Sequence, residues 1–65
     1  MFETSKPTLK LIDTDGNAFS ILGKASRTLK KEGFSQDYID QYTYEATSGD
    51  YDHLIQTTMK YFNVI

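Results

Sequence analysis

Apolar residues along this chain recur with two different periods. In Thr8-Leu9-Lys10-Leu11-Ile12 they alternate with polar ones, which puts Leu9 and Leu11 on one face and Lys10 on the other, as in a half-buried strand. A single strand is not stable alone, and two partners are open: residues 61–65, or the same strand of another copy. From Ala18 the period lengthens. Ala18, Ile21, Leu22, Ala25 and Leu29 follow the 0, 3, 4, 7, 11 spacing of one helical face, and Asn17 precedes them as a good N-cap. Asp15-Gly16 could instead turn a hairpin into a strand at residues 18–22, but the longer periodicity favours a helix over residues 18–32.

The end of that helix is well specified. Gly33 fits the left-handed C′ position, and Phe34 at C″ would meet Leu29 at C3, the apolar contact of a Schellman motif. Ser35 can cap the next helix, which makes Phe34 and Ile39 a hydrophobic staple between the two. Helix two, residues 36–47, offers Ile39, Tyr42 and Ala46 to the core and leaves Tyr38 and Tyr44 for edges or interfaces. Ser48-Gly49 ends it. Asp50 caps a third helix whose inward stripe is read as Tyr51, Leu54, Ile55, Thr58 and Phe62, after which Asn63-Val64-Ile65 can form a short strand. The expected fold is α+β: one domain over residues 1–65, an N-terminal strand and then three helices. Residues 1–7 are polar, and Pro7 confines them to an arm or an edge.

Composition narrows the function classes. At 65 residues the domain buries only about 60% of its unfolded surface, so self-association would help it. With no cysteine there is neither a disulfide framework nor a thiolate metal site. No apolar run approaches the roughly 20 residues of a membrane span, and the first residues do not read as a signal peptide, so the expectation is a soluble cytoplasmic protein. A net charge of -2 argues against a DNA or RNA polymer as partner. The charge is unevenly placed: Lys24, Arg27, Lys30 and Lys31 cluster in helix one, whereas Glu32, Asp37, Asp40, Glu45, Asp50 and Asp52 follow with no Lys or Arg among them. Solvated faces, or complementarity between neighbouring elements or subunits, would account for this; so would a basic site for a compact anion.

The catalytic inventory is poor. Asp13-Thr14-Asp15-Gly16-Asn17 has turn chemistry but the wrong spacing for a calcium loop, with Lys24 where the twelfth-position glutamate would stand. His53 is the only histidine, so no zinc site of three or four ligands is expected within one chain, and no cofactor. Asp50 and His53, three apart, could orient a nucleophile such as Ser20 or Ser48, but a capping aspartate beside a hydrogen-bonded histidine explains them as well. Anion binding has more support. The start of helix one offers free N–H groups, and Ser20, Lys24, Arg27 and Lys31 recur at 0, 4, 7 and 11 as a second stripe able to hold a phosphodiester. Arg27 can grip phosphate bidentately or stack on a base. Gly23 costs about 1 kcal/mol in mid-helix, so something should approach the backbone there: a crossing helix in the bland reading, a ligand in the functional one. Tyr38, Tyr44 and Tyr51 do not all fit one buried face, and an exposed tyrosine can stack a base.

Two runs, Asp15-Gly16-Asn17-Ala18-Phe19 with Gly23 following, and Glu45-Ala46-Thr47-Ser48-Gly49-Asp50-Tyr51-Asp52-His53-Leu54, resemble the hallmarks of a family of very small phage and bacterial proteins. The likeness spans about residues 8–62, and the family is identified as the one containing phage anti-CBASS nucleotide sponges. The resemblance implies sequestration of cyclic dinucleotides such as 3′3′-cGAMP without cleavage, in the host bacterial cytoplasm. It also implies a homo-oligomer, expected to be a tetramer, with ligand between subunits. On chemical grounds Asn17, Ser20, Gly23, Lys24, Arg27, Tyr51 and His53 are the candidate contacts. The rival expectation is an inhibitor or small regulatory module that docks its acidic helices on a protein partner.

Overall fold

The computed structural model describes residues 6–12 and 16–65. Along the chain come β1 (Thr8–Leu9), α1 (Ala18–Lys31), α2 (Gln36–Ala46), α3 (Tyr51–Tyr61) and β2 (Asn63–Val64). The expected α+β architecture is present, with the optional terminal strand. Most of the expected 1–7 arm, and the Asp13-Thr14-Asp15 part of the turn, lie outside the described residues.

The partner of β1 is the C-terminal strand of the same chain. The two run parallel, Thr8 opposite Asn63 and Leu9 opposite Val64, as three intervening helices permit. Asn63 N–H donates to the Pro7 carbonyl at 2.9 Å, Ile65 N–H to Leu9 at 2.9 Å, and Leu11 N–H to Ile65 at 2.8 Å. Pro7 thus takes part only as an acceptor, the one backbone role open to it. Leu9 is fully buried and Lys10 exposed, as alternation demands.

Each helix begins on a side-chain cap. Asn17 Oδ1 accepts from the Phe19 and Ser20 amides, Ser35 Oγ from Tyr38 and Asp50 Oδ1 from His53, which satisfies N–H groups that have no partner within the helix. Helix α1 stops one residue before the sequence suggests, with Glu32 as its C-cap. Gly33 follows at φ +91°, Gly33 N–H donates to Lys30 and Phe34 N–H to Leu29, and these two bonds define the Schellman motif. Phe34 then stacks on Tyr38, ring centroids 4.8 Å apart, and packs against the core cluster that contains Ile39.

The core contains Leu9, Ile21, Ala25, Leu29, Ile39, Tyr42, Ala46, Leu54, Tyr61 and Phe62. The inward face of α3 differs from expectation. Leu54, Thr57, Thr58 and Tyr61 are its buried residues, whereas Tyr51 is 49% exposed and Ile55 half-buried. Leu54, Thr58 and Phe62 are buried as expected, but Thr57 and Tyr61 take the places expected for Tyr51 and Ile55. The polar atoms are absorbed internally: Thr58 Oγ1 donates to the Leu54 carbonyl at 2.8 Å and, its proton thus committed, accepts from Tyr42 Oη at 2.7 Å. Burial raises the Tyr42 pKa, against the smaller opposing effect of the Thr58 bond.

Candidate functional site

In the run from Thr47 to Leu54, most side chains already have work inside the fold. Thr47 caps the end of α2, Asp50 caps α3, and Leu54 is in the core. His53 reaches back across the α2–α3 turn. Its Nε2 lies 2.9 Å from the Glu45 carbonyl, 3.1 Å from Ser48 Oγ and 3.4 Å from Thr57 Oγ1. A carbonyl can only accept, so Nε2 carries a proton and donates to this helix-end oxygen. A nitrogen so committed is no free base for Ser48, whose own hydroxyl donates to the same carbonyl at 2.8 Å. Gly49 makes room for this arrangement: a Cβ there would sit 2.8 Å from His53 Cβ and Cγ. The Asp50–His53 pair is therefore a cap beside a hydrogen-bonded histidine.

The run at residues 16–19 has a similar character with one exception. Gly16 adopts φ +80°, its carbonyl accepts from Tyr51 Oη at 2.6 Å, Asn17 caps α1, and Ala18 packs against the core. The Tyr51 bond ties the start of α3 to the start of α1. Phe19 is the exception: it is 85% exposed and lies outside the core cluster.

Helix α1 presents three flanks. The apolar one, Ile21, Ala25 and Leu29, is buried. At about 100° per residue, Phe19, Gly23, Ser26 and Lys30 share a second flank, and Ser20, Lys24 and Lys31 a third roughly 100° further round, with Arg27 between them. Two cavities open along the second flank. One, about 290 Å³, is bounded by Ala18, Phe19 and Leu22 of α1, by Ala46 and Thr47, and by Tyr51 and Leu54 of α3. The other, about 320 Å³, is lined by Ser26, Arg27 and Lys30 on α1 and by Gln36, Ile39, Asp40 and Thr43 on α2. Leu22 to Ser26 and Thr43 to Thr47 are each one helical turn, so the cavities adjoin, and Gly23 lies on α1 between them.

A built Cβ on Gly23 would find only Arg27 Nη1, at 3.5 Å. Among the described residues no helix crosses there, which corrects the crossing-helix reading within the chain. The glycine leaves an open strip of backbone over which the Arg27 guanidinium folds. Across the cationic cavity, Gln36 Nε2 donates to Asp40 Oδ1 at 2.9 Å, and Thr43 Oγ1 donates to Ile39 at 3.0 Å. Neither Arg27 nor Lys30 forms an ion pair with any described residue. The chemistry this arrangement offers is a guanidinium, an ammonium and the Ser26 hydroxyl as donors, beside an amide and a carboxylate that can read the edge of a ring.

The ionised cluster elsewhere is structural. Glu45 accepts from Lys60 Nζ at 2.8 Å and from Tyr61 Oη at 2.9 Å, joining α2 to α3. The Lys60 hydrogen bond, then that of Tyr61, holds the Glu45 carboxyl below its ordinary pKa. Lys60 is raised in return by Glu45, and Tyr61 is raised first by burial and then by Glu45. No group of three or more His, Asp or Glu among the described residues could hold a metal ion.

Of the residues singled out from the sequence, Arg27 lies at the cationic end of the groove and Tyr51 at its apolar end, with Gly23 beside the Arg27 guanidinium but lining neither cavity. Asn17 serves the cap, Ser20 and Lys24 occupy the third flank, and His53 is engaged at the α2–α3 corner. Lys30 belongs to the basic cluster expected on helix one; Ser26, Gln36, Asp40 and Thr43 were not anticipated, because the pairing of α1 with α2 brings them together. Phe19 was also missed. Its signal was available: a large apolar residue about 100° off the apolar stripe. No described helix is long and apolar enough to cross a membrane. The chain matches no protein-family model, no curated protein and no solved structure.

Proposed function

We propose that this protein binds a cyclic dinucleotide in the cationic half of the α1–α2 groove and sequesters it without cleavage. In that role it is a phage protein of the host bacterial cytoplasm that silences a CBASS signal. The observation that carries the reading is the pair Arg27 and Lys30, unpaired among the described residues, above a cavity of about 320 Å³ that also offers Ser26, Gln36 and Asp40. The cations suit phosphate and the polar pair suits a base edge. The likeness of residues 15–19 and 45–54 to nucleotide sponges narrows the anion to a cyclic dinucleotide. Such a ligand exceeds one open cavity at the lower end of the usual size range, so each subunit of a homo-oligomer, a tetramer in the sponge reading, holds one half. Sequestration needs only affinity; a nanomolar Kd corresponds to about -12 kcal/mol.

Titration calorimetry with a nuclease-resistant cyclic dinucleotide tests this. Saturable binding, release of intact nucleotide on heating, and a loss of about 10- to 100-fold in Arg27→Ala are expected, in line with about 1.5 to 3 kcal/mol for a hydrogen bond to a charged group. No binding, or release of cleaved nucleotide, would sink the proposal. One observation favours the rival reading of a protein-binding module: Asp37 and Asp40 on α2, with Asp50 and Asp52 at the start of α3, are all exposed, and Tyr44 is exposed as well. Recovery of one stoichiometric basic protein in a pull-down, with no nucleotide-induced rise in Tm, would establish it instead.

A further inference from the structure

The two walls of the cationic cavity differ in kind. On the α1 side Arg27 and Lys30 can only donate hydrogen bonds. On the α2 side Asp40, ionised, can only accept, and Thr43 has spent its proton on the Ile39 carbonyl. These opposite charges line one cavity, yet Asp40 forms an ion pair with neither cation, nor with any other described residue. A ligand lying between the walls must therefore bring acceptors to α1 and donors to α2.

The α2 wall has a definite order. Because a carboxylate has no proton to give, Gln36 turns its amino group to Asp40, and their 2.9 Å bond uses one of its two N–H donors. The second N–H and the carboxylate oxygens then make a row of donor, acceptor, acceptor on residues one helical turn apart, both exposed at the rim of the cavity. Cytosine shows guanine the same row in a base pair. Guanine answers it with O6, N1–H and the 2-amino group, an acceptor followed by two donors. Adenine, with one amino group beside a bare ring nitrogen, meets two of these positions at most. The pyrimidines set a lone pair against the carboxylate. Guanine alone of the four bases meets the whole row, and single bases are read along this edge once they are unstacked.

We propose, on the reading of this groove as a cyclic-dinucleotide site, that Asp40 makes it selective for guanine, so that the preferred ligand carries two guanines. Arg27 and Lys30 hold phosphate, while the Gln36–Asp40 row of each subunit takes the base of its own half of the ligand. Replacing a guanine by adenine removes a hydrogen bond to a charged group and costs about 10-fold in affinity, the low end for such a bond because Asp40 and Gln36 are exposed and water competes for them.

Titration calorimetry of the full chain with cyclic di-GMP, 3′3′-cGAMP, cyclic di-AMP and cyclic di-IMP tests this. Kd should rise about 10-fold from the first to the second and about 10-fold again to the third, and cyclic di-IMP, which lacks only the 2-amino groups, should bind more weakly than cyclic di-GMP. Asp40→Asn keeps an oxygen for Gln36 but replaces an acceptor with an N–H donor, and an asparagine amide pairs well with adenine. This variant should keep its circular dichroism spectrum, lose affinity for cyclic di-GMP and bind cyclic di-AMP more tightly than the natural chain does, a gain that misfolding cannot produce. Equal affinities for the guanine and adenine ligands, a preference for adenine, or an unchanged order in Asp40→Asn would overturn guanine selectivity while leaving sequestration in place. No binding of any of the four ligands would overturn both.

Discussion

Gly49→Ala should be among the most damaging single-methyl additions in this chain. Gly49 has no positive φ, so by backbone preference alone alanine would stabilise it by about 0.4 to 1 kcal/mol through the unfolded state. The new Cβ, however, meets His53 Cβ and Cγ at 2.8 Å and Cδ2 at 3.0 Å, whereas carbon pairs are at their optimum near 3.5 to 4.0 Å. His53 cannot easily yield. Its Cβ is fixed by the first turn of α3, its amide is bonded to Asp50, and its ring is tied to the Glu45 carbonyl. Relief requires either a shift of the α2–α3 turn, costing about 1 to 3 kcal/mol as overpacking does, or rotation of the ring and loss of a hydrogen bond worth about 1 kcal/mol. For a domain this small, each kcal/mol moves Tm by about 4 to 8 °C, so a drop near 10 °C is expected by calorimetry or circular dichroism. The decisive arm is a double-mutant cycle: in a His53→Ala background the obstruction is gone, and Gly49→Ala should become neutral or stabilising. A stabilising Gly49→Ala in the natural background, or additivity in the cycle, would refute the packing account.

Gly23→Ala should behave in the opposite way, raising stability by up to about 1 kcal/mol in chemical denaturation, because its Cβ meets only the mobile end of Arg27. If a ligand lies over that strip, the same variant should bind nucleotide more weakly despite its higher Tm. Tyr51→Phe removes the 2.6 Å bond to Gly16 and should cost about 0.5 to 1.5 kcal/mol, seen with faster amide exchange at the start of α1. Glu45 has a depressed folded-state pKa, so its contribution is complete above the unfolded carboxyl value near 4.5 and is lost as pH falls through the lower folded value. The Tm advantage of the natural chain over Glu45→Gln should therefore be full at neutral pH and close in acid; an advantage that grows on acidification would contradict the assigned hydrogen bonds.

The legible parts of the fold are those set by local chemistry. Asn17, Ser35 and Asp50 announce three helix starts, and Gly33 with Phe34 announces a helix end, because caps involve residues only a few positions apart. The α3 stripe was legible in part: Leu54 and Thr58 are buried as expected, but Tyr61 is buried with its hydroxyl bonded to Glu45 of α2 and Thr57 beside His53, and hydropathy does not register such partners. The candidate site was legible only along α1. A single helix reveals that Arg27 is polar and Gly23 unusual, but not that Gln36, Asp40 and Thr43 stand opposite, because that depends on how α2 packs. In the run at residues 45–54, which carries half of the resemblance, Asp50 and His53 are occupied with holding the α2–α3 corner.

The most direct test of the account is an NMR titration of the ¹⁵N-labelled chain with a nuclease-resistant cyclic dinucleotide. The largest shifts are expected at Gly23, Ser26, Arg27, Lys30, Gln36, Asp40 and Thr43, with Arg27→Ala removing them and the nucleotide remaining intact. Shifts confined to the third flank of α1 around Ser20 and Lys24, or no shifts at all, would contradict the assignment of that groove.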